Sequence, residues 1–172
     1  RGDVGITEED YFTLIEKKTA VLIAAACAVG ALMAGAPGER GEALRGFGHT
    51  MGLAFQLTDD TLDYVAAEKE FGKAIGMDIK EGKITLPLIR TLAQCSAEEK
   101  QIIRGIVERK QATEEDIRTV VGLIGKYDGI QYALGRARNI IAEGKALLAP
   151  FGNGEAKSSL LAMADFIAER TL

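Results

Sequence analysis

The stretch FQLTDDTLDYV, residues 55–65, sets three carboxylates (Asp59, Asp60 and Asp63) inside a run otherwise apolar enough for a core. On a helix at about 100° per residue, Gln56, Asp59 and Asp63 share a stripe roughly 60° wide, with Asp60 at its edge. Gly52 lies on the same stripe and leaves room. Leu53, Ala54, Phe55, Leu57, Leu62 and Val65 cover most of the remainder. The pattern predicts a helix buried nearly all round, broken by one polar stripe. Unpaired carboxylates turned towards a core would raise their pKa values or destabilise the fold. Basic side chains or a hard cation offset that cost. Mg2+ takes oxygen ligands octahedrally, usually one or two carboxylates with phosphate oxygens and waters. Spacing alone leaves a metal site and a salt-bridged structural cluster both open.

Downstream, Lys69, Lys73, Lys80 and Lys83 alternate with Gly72, Gly76 and Gly82. Glycines allow close backbone approach, and lysines act as point charges for phosphate. Glu68, Glu70, Asp78 and Glu81 balance the charge, so the loop alone reads as a solvated lid. Carboxylates for a cation followed by lysines for phosphate, with no P-loop, point to a metal-bridged diphosphate. Upstream, Tyr11, Ile15, Leu22 and Val29 form one helical stripe with Lys18 in its middle, while Lys17 turns about 100° away towards solvent. Lys18 then either snorkels along the apolar face or points its ammonium at an internal anion.

The 172 residues suit one ordinary domain with a proper core. With 47% hydrophobic residues, 6% aromatics, no tryptophan and abundant alanine, closely packed helices are expected. A net charge of −4 offers no basic field for nucleic acid. Cys27 and Cys95 lack metal-ligand or redox spacing and read as free thiols in a reducing, cytoplasmic setting. The start, RGDVG, is neither a signal peptide nor an initiator methionine, so a piece of a longer chain is expected. Residues 19–36, TAVLIAAACAVGALMAGA, carry no charge, but they are mostly Ala and Gly. A spanning helix needs about 20 mainly apolar residues. The expectation is a buried, closely packed helix and no transmembrane segment.

The other signals are helical too. Thr7 with Asp10 caps a helix running to about Ala34, stopped by Gly35-Ala36-Pro37-Gly38. A second spans about 40–66, then a Gly- and Lys-punctuated loop, and a short helix at 86–93. Ser96 with Glu99 caps one to about Lys110, and Thr113 with Asp116 caps one to about Tyr127. Helices at 129–148 and 155–170 complete an all-α chain. His49, the only histidine, has no partner motif and reads as a surface or satisfied residue. Arg136, Arg138 and Lys145 read as a solvated face.

Three places together resemble the C-terminal half of a trans-isoprenyl (polyprenyl) diphosphate synthase: KTA (18–20), GLAFQLTDDTLDY (52–64) and GKAIGMDIKEGKITLPLI (72–89). They are similar to the family's lysine-threonine site, second aspartate-rich motif and phosphate-contacting loop, in that order. EGKITLPLI looks more like the long-chain, octaprenyl-type branch. The resemblance implies residues 1–172 as the C-terminal part of one synthase domain, an antiparallel helical bundle of the isoprenoid synthase type. It also implies a Mg2+-dependent prenyltransferase that condenses isopentenyl diphosphate with an allylic diphosphate, as a homodimer. Asp59 would ligate Mg2+, and Asp60 and Asp63 would ligate it or hold its waters. Gln56 and Thr19 would orient the site, Lys18 and Lys73 would contact the diphosphate, and Lys83 would lie nearby. The family's first aspartate-rich motif has no counterpart in the 17 residues before Lys18. The isolated chain is therefore expected to be inactive, either as part of a longer synthase or as a non-catalytic complementing or regulatory subunit. A terpene cyclase would need an Asn or Asp, then Ser or Thr, then Glu at set spacing, which Gln56 to Asp63 does not provide.

Overall fold

The computed structural model describes residues 3–36, 38–69, 77–109 and 112–170, and among these no strand occurs. The elements are α1 (Glu8–Ile15), a π-helical turn (Glu16–Ala20), α2 (Val21–Met33), α3 (Glu39–Lys69), α4 (Met77–Lys80), α5 (Leu86–Gln94), α6 (Ala97–Val107), α7 (Glu114–Lys126), α8 (Gly129–Ala146) and α9 (Glu155–Glu169). They agree with the expected helices to within a few residues, except that α4 lies in the stretch expected to be loop.

Local chemistry explains where they begin and end. Thr7 Oγ1 accepts from the Asp10 amide (3.1 Å) while Asp10 Oδ2 accepts from the Thr7 amide (3.0 Å). The same reciprocal box opens α6 at Ser96 and Glu99 and α7 at Thr113 and Asp116. At the far end of α2, Gly35 adopts φ 64°. That conformation lets Ala36 N–H reach Ala31 O (2.9 Å) and Gly35 N–H reach Leu32 O (3.1 Å), closing the helix. Gly82, at φ 66°, closes α4 in the same way, with Lys83 N–H on Asp78 O at 2.7 Å.

Two compact units share the chain: residues 1–11 with 59–134, and residues 12–58 with 135–172. In the first, α5 packs on α7, and Tyr64, Leu86, Leu88, Ile103, Val120 and Ile124 are fully buried. Its α8 begins against α5: a Cβ on Gly129 would lie 2.4 Å from Pro87 O. In the second, Ile15, Phe47, Ala54, Leu57, Ala137 and Leu148 form the core. There α8 presses on α3, where a Cβ on Gly144 would stand 2.4 Å from Thr50 Oγ1.

The first long helix departs from the expected register. On an uninterrupted helix Tyr11, Ile15, Leu22 and Val29 would share a buried stripe. Tyr11 and Ile15 are buried, but Leu22 and Val29 are 75% and 58% exposed. The buried line is instead Tyr11, Ile15, Ala20, Ala24 and Ala31. The five-residue step from Ile15 to Ala20 is the π turn, closed by Val21 N–H on Glu16 O, and it rotates everything after it. The expectation of a buried α2 is corrected for the same reason. Only its small side is packed, while Val21, Leu32 and Met33 stand exposed. Among the described residues no helix is long and apolar enough to cross a membrane.

Candidate functional site

The acidic motif lies on α3, and in the first unit two of its carboxylates are braced by two other elements. Tyr11, at the end of this unit's share of α1, donates its buried hydroxyl to Asp60 Oδ2 at 2.8 Å. Burial foremost, and then the Asp60 charge, push the Tyr11 pKa far above the usual phenol value, so it stays a donor. Asp63 Oδ2 accepts the Asp78 amide at 3.1 Å, at the start of α4. Next to it, Tyr64 is fully buried and accepts from Thr85 Oγ1 at 3.0 Å. Desolvation raises its pKa above the phenol range.

These contacts fix two of the three aspartates. Asp59 is exposed, while Asp60 and Asp63 are half-buried and each commits an oxygen to a protein donor. The expectation of a helix buried nearly all round is corrected at Phe55, which is 39% exposed and faces the Arg170 guanidinium, 5.3 Å from its ring centroid. Ala54 and Leu57 are buried as expected.

The donor set suits a hard cation, since every candidate ligand is a carboxylate oxygen. Among the described residues no three His, Cys, Asp or Glu side chains enclose a cation by themselves. An ion that takes one or two carboxylates and completes its sphere with phosphate oxygens and water requires no such enclosure.

Lys83, also in the first unit, follows the Gly82 turn. Its ammonium pairs with Glu81 (2.7 Å) and Asp78 (3.1 Å), and the hydrogen bonds it donates to these carboxylates raise its pKa. Lys73 lies outside the described residues.

The second unit holds Lys18, Thr19 and Gln56. Thr19 Oγ1 donates to Gln56 Oε1 at 2.7 Å, and Gln56 is buried. That contact depends on an unusually close approach. A Cβ on Gly52 would fall 2.5 Å from Ala20 Cα, so the room that Gly52 leaves on its stripe is filled by the backbone of the π turn. Lys17 and Lys18 are both exposed. Glu16 pairs with His49 on α3 (Oε1 to Nε2, 3.1 Å), giving the lone histidine a partner that no motif signalled. Both cysteines are free. The expected solvated face of α8 is corrected at Arg136, which lies over the Phe12 ring at 5.3 Å, while Lys145 pairs with Asp165.

Tyr11 and His49 are the residues that sequence reasoning missed. Tyr11 read only as one member of an apolar stripe, because its partner is 49 residues away.

The family model for polyprenyl synthetase matches residues 1–124. A short-chain isoprenyl diphosphate synthase of Methanothermobacter thermautotrophicus is 36% identical over 165 residues, covering 96% of this chain and 50% of that protein. A decaprenyl diphosphate synthase structure from Rhodobacter capsulatus superposes with TM-score 0.93 at 30% identity, over 99% of this chain and 53% of the other. The polyprenyl synthase of Caulobacter crescentus, solved with calcium and isoprenyl diphosphate, gives TM-score 0.89 at 37% identity, over 99% of this chain and 52% of that one. The chain thus spans about half the length of the relatives it matches. Relatives named for geranylgeranyl and octaprenyl products match as well, so the comparisons do not single out the long-chain branch. With its all-helical fold shared along nearly its whole length, the chain belongs to the polyprenyl synthetase family.

Proposed function

We propose that the chain serves in a prenyltransferase that condenses isopentenyl diphosphate with an allylic diphosphate to extend a trans-polyprenyl diphosphate. The observation that carries this reading is the bracing of the aspartate motif: Asp60 is held by Tyr11 and Asp63 by the α4 amide, and Asp59 is exposed on the same helix. Preorganised carboxylates of this kind suit a cation that must also accept diphosphate oxygens. The calcium and isoprenyl diphosphate bound by the Caulobacter relative lend support.

Asp59 is the direct Mg2+ ligand in this proposal, and Asp60 and Asp63 ligate or hold metal-bound waters. Mg2+, when bound, neutralises charge developing on the departing diphosphate. Lys18 and Lys73 contact the diphosphate, with Lys83 nearby, and Thr19 and Gln56 orient the lysine-threonine turn. The allylic C–O bond breaks, and diphosphate leaves with the electron pair. The double bond of isopentenyl diphosphate attacks the resulting cation, and a proton is lost. EGKITLPLI favours the long-chain branch within this scheme. We read residues 1–172 as the C-terminal part of one synthase domain, cytoplasmic and homodimeric when complete, and without condensing activity alone. Titration of inorganic diphosphate into the chain, with Mg2+ and again with chelator, tests the site. Binding that is unchanged by chelation would overturn the metal-bridged reading. Product formation from isopentenyl and allylic diphosphates by the 172-residue chain would overturn its proposed inactivity.

A second reading, a complementing subunit for a partner synthase chain, is favoured by the exposed apolar side of the first long helix. Leu14, Val21, Leu22, Val29, Leu32 and Met33 are 52–82% exposed there. Such a run of large apolar side chains marks a surface that a partner covers. Restoration of condensation by adding the N-terminal half of a relative, with comigration in gel filtration, distinguishes completion in trans from inactivity.

A further inference from the structure

We propose that His49 and Glu16 are positioning residues, whose pairing completes a three-point clamp of α3 on the π turn and thereby sets where that turn presents Lys18. This rests on the reading of Lys18 as a diphosphate contact. His49, Gly52 and Gln56 follow at i, i+3 and i+7, one face of α3. Each meets a different part of the turn: His49 Nε2 the Glu16 carboxylate at 3.1 Å, Gly52 the Ala20 backbone, and Gln56 the Thr19 hydroxyl at 2.7 Å. An ionised carboxylate only accepts, so Nε2 is the donor.

Lys17 and Lys18 are the two members of the turn outside the clamp, and both are exposed. A π turn is rare and is usually kept by specific contacts near functional sites. If it relaxed to ordinary α geometry, residues on one side would rotate against those on the other by about one residue's turn, roughly 100°. Lys18 would then exchange its direction for one like that of Lys17. Gln56 and Gly52 hold the fourth and last residues of the turn, and the His49–Glu16 hydrogen bond holds its first.

The test uses the 172-residue chain with His49→Ala, Glu16→Ala, the double variant and His49→Gln, which keeps a donor of similar reach. Competitive acetylation with trace acetic anhydride, read by mass spectrometry, gives the Lys18-to-Lys17 reactivity ratio. Hydrogen exchange of the Val21 amide reports the bond that closes the turn. Each single variant should change both readouts by roughly two- to tenfold, the range one hydrogen bond is worth. The double variant should add nothing further, and His49→Gln should restore at least part of the ratio. A residue that merely braced the fold would lower the thermal midpoint and leave the ratio alone. An unchanged ratio in both single variants, or additive changes in the double variant, would overturn the proposal. Lys18→Met, titrated with inorganic diphosphate and Mg2+, judges the diphosphate reading separately: unaltered affinity there removes that reading, whatever the clamp does.

Discussion

Gly52→Ala puts the packing beneath the lysine-threonine turn to a quantitative test. The added methyl would stand 2.5 Å from Ala20 Cα and 3.1 Å from Ala20 Cβ. The nearer atom is backbone, so no side chain can swing aside and the turn itself must move. Alanine in a helix interior gains about 1 kcal/mol over glycine. Overpacking of a close contact costs about 1–3 kcal/mol, and a backbone clash falls at or above the upper end. The net expectation is a loss of about 2 kcal/mol or more. For a chain of this length each kcal/mol moves the thermal midpoint by roughly 2–4 °C, so a fall of about 4–8 °C or more is expected. Gly30→Ala is the control, because a Cβ there meets nothing within 4 Å. It should raise the midpoint by about 2–4 °C through helix propensity alone. Thermal unfolding followed by circular dichroism measures both. Equal midpoints for the two variants would refute the close approach, and with it the argument that Gly52 makes room for the π turn. Because Thr19 and Gln56 meet one turn further on, Gly52→Ala should also weaken Mg2+-dependent binding of inorganic diphosphate.

Asp59→Ala is expected to weaken that binding by roughly a hundredfold and Asp60→Ala by roughly tenfold, the span over which groups around a metal typically act. Equal and small effects in calorimetric titration would return the acidic stripe to a structural role. Lys18→Met should leave the thermal midpoint nearly unchanged and cost about tenfold or more in diphosphate affinity, the loss of one charge-assisted hydrogen bond. Lys17→Met should do neither, and identical affinities for the two would remove Lys18 from the site. Glu99 supplies a pH test: hydrogen bonds from Lys126, Tyr127 and the Ser96 amide lower its pKa from 4.5 to about 2. A depressed carboxylate stabilises the fold above its unfolded pKa, and that contribution is lost as pH falls through the folded one. The thermal midpoint should therefore drop between about pH 4.5 and pH 2, and less steeply in Glu99→Gln. Parallel profiles would sink the assignment.

What the sequence exposed most clearly were features completed within a single turn. The boxes at Thr7, Ser96 and Thr113 each join residues three apart, and all three formed. The glycine that ends α2 is local too, since a positive φ is nearly glycine's alone, whereas α4 and its closing Gly82 fell in a stretch expected to be loop. The aspartate stripe was legible because its residues share one helix. Its supports were not: Tyr11 and the Asp78 amide reach it from 49 and 15 residues away. Phe55 shows the same limit from the apolar side. A hydrophobic residue on a helix states a preference for burial, and the neighbouring elements decide whether the preference is met.

The error in the first long helix has a sharper cause. Reading residues 11–33 at a constant 100° assumes that every backbone bond spans four residues. The π segment, closed by the five-residue bond from Val21 N–H to Glu16 O, breaks that assumption. No side chain in EKKTA advertises it, because alanine, threonine and lysine are all compatible with an ordinary helix. The determinant lies on α3, where Gly52 admits the Ala20 backbone and Gln56 and His49 meet Thr19 and Glu16. A π turn is thus a tertiary property written in two places at once. Periodicity reads one strip of sequence at a time and passes over it. The consequence falls on the functional residues themselves, because Lys18 and Thr19 lie inside the turn. Their directions follow from what α3 allows, so a helical wheel drawn through α1 and α2 misplaces the residues whose orientation matters most.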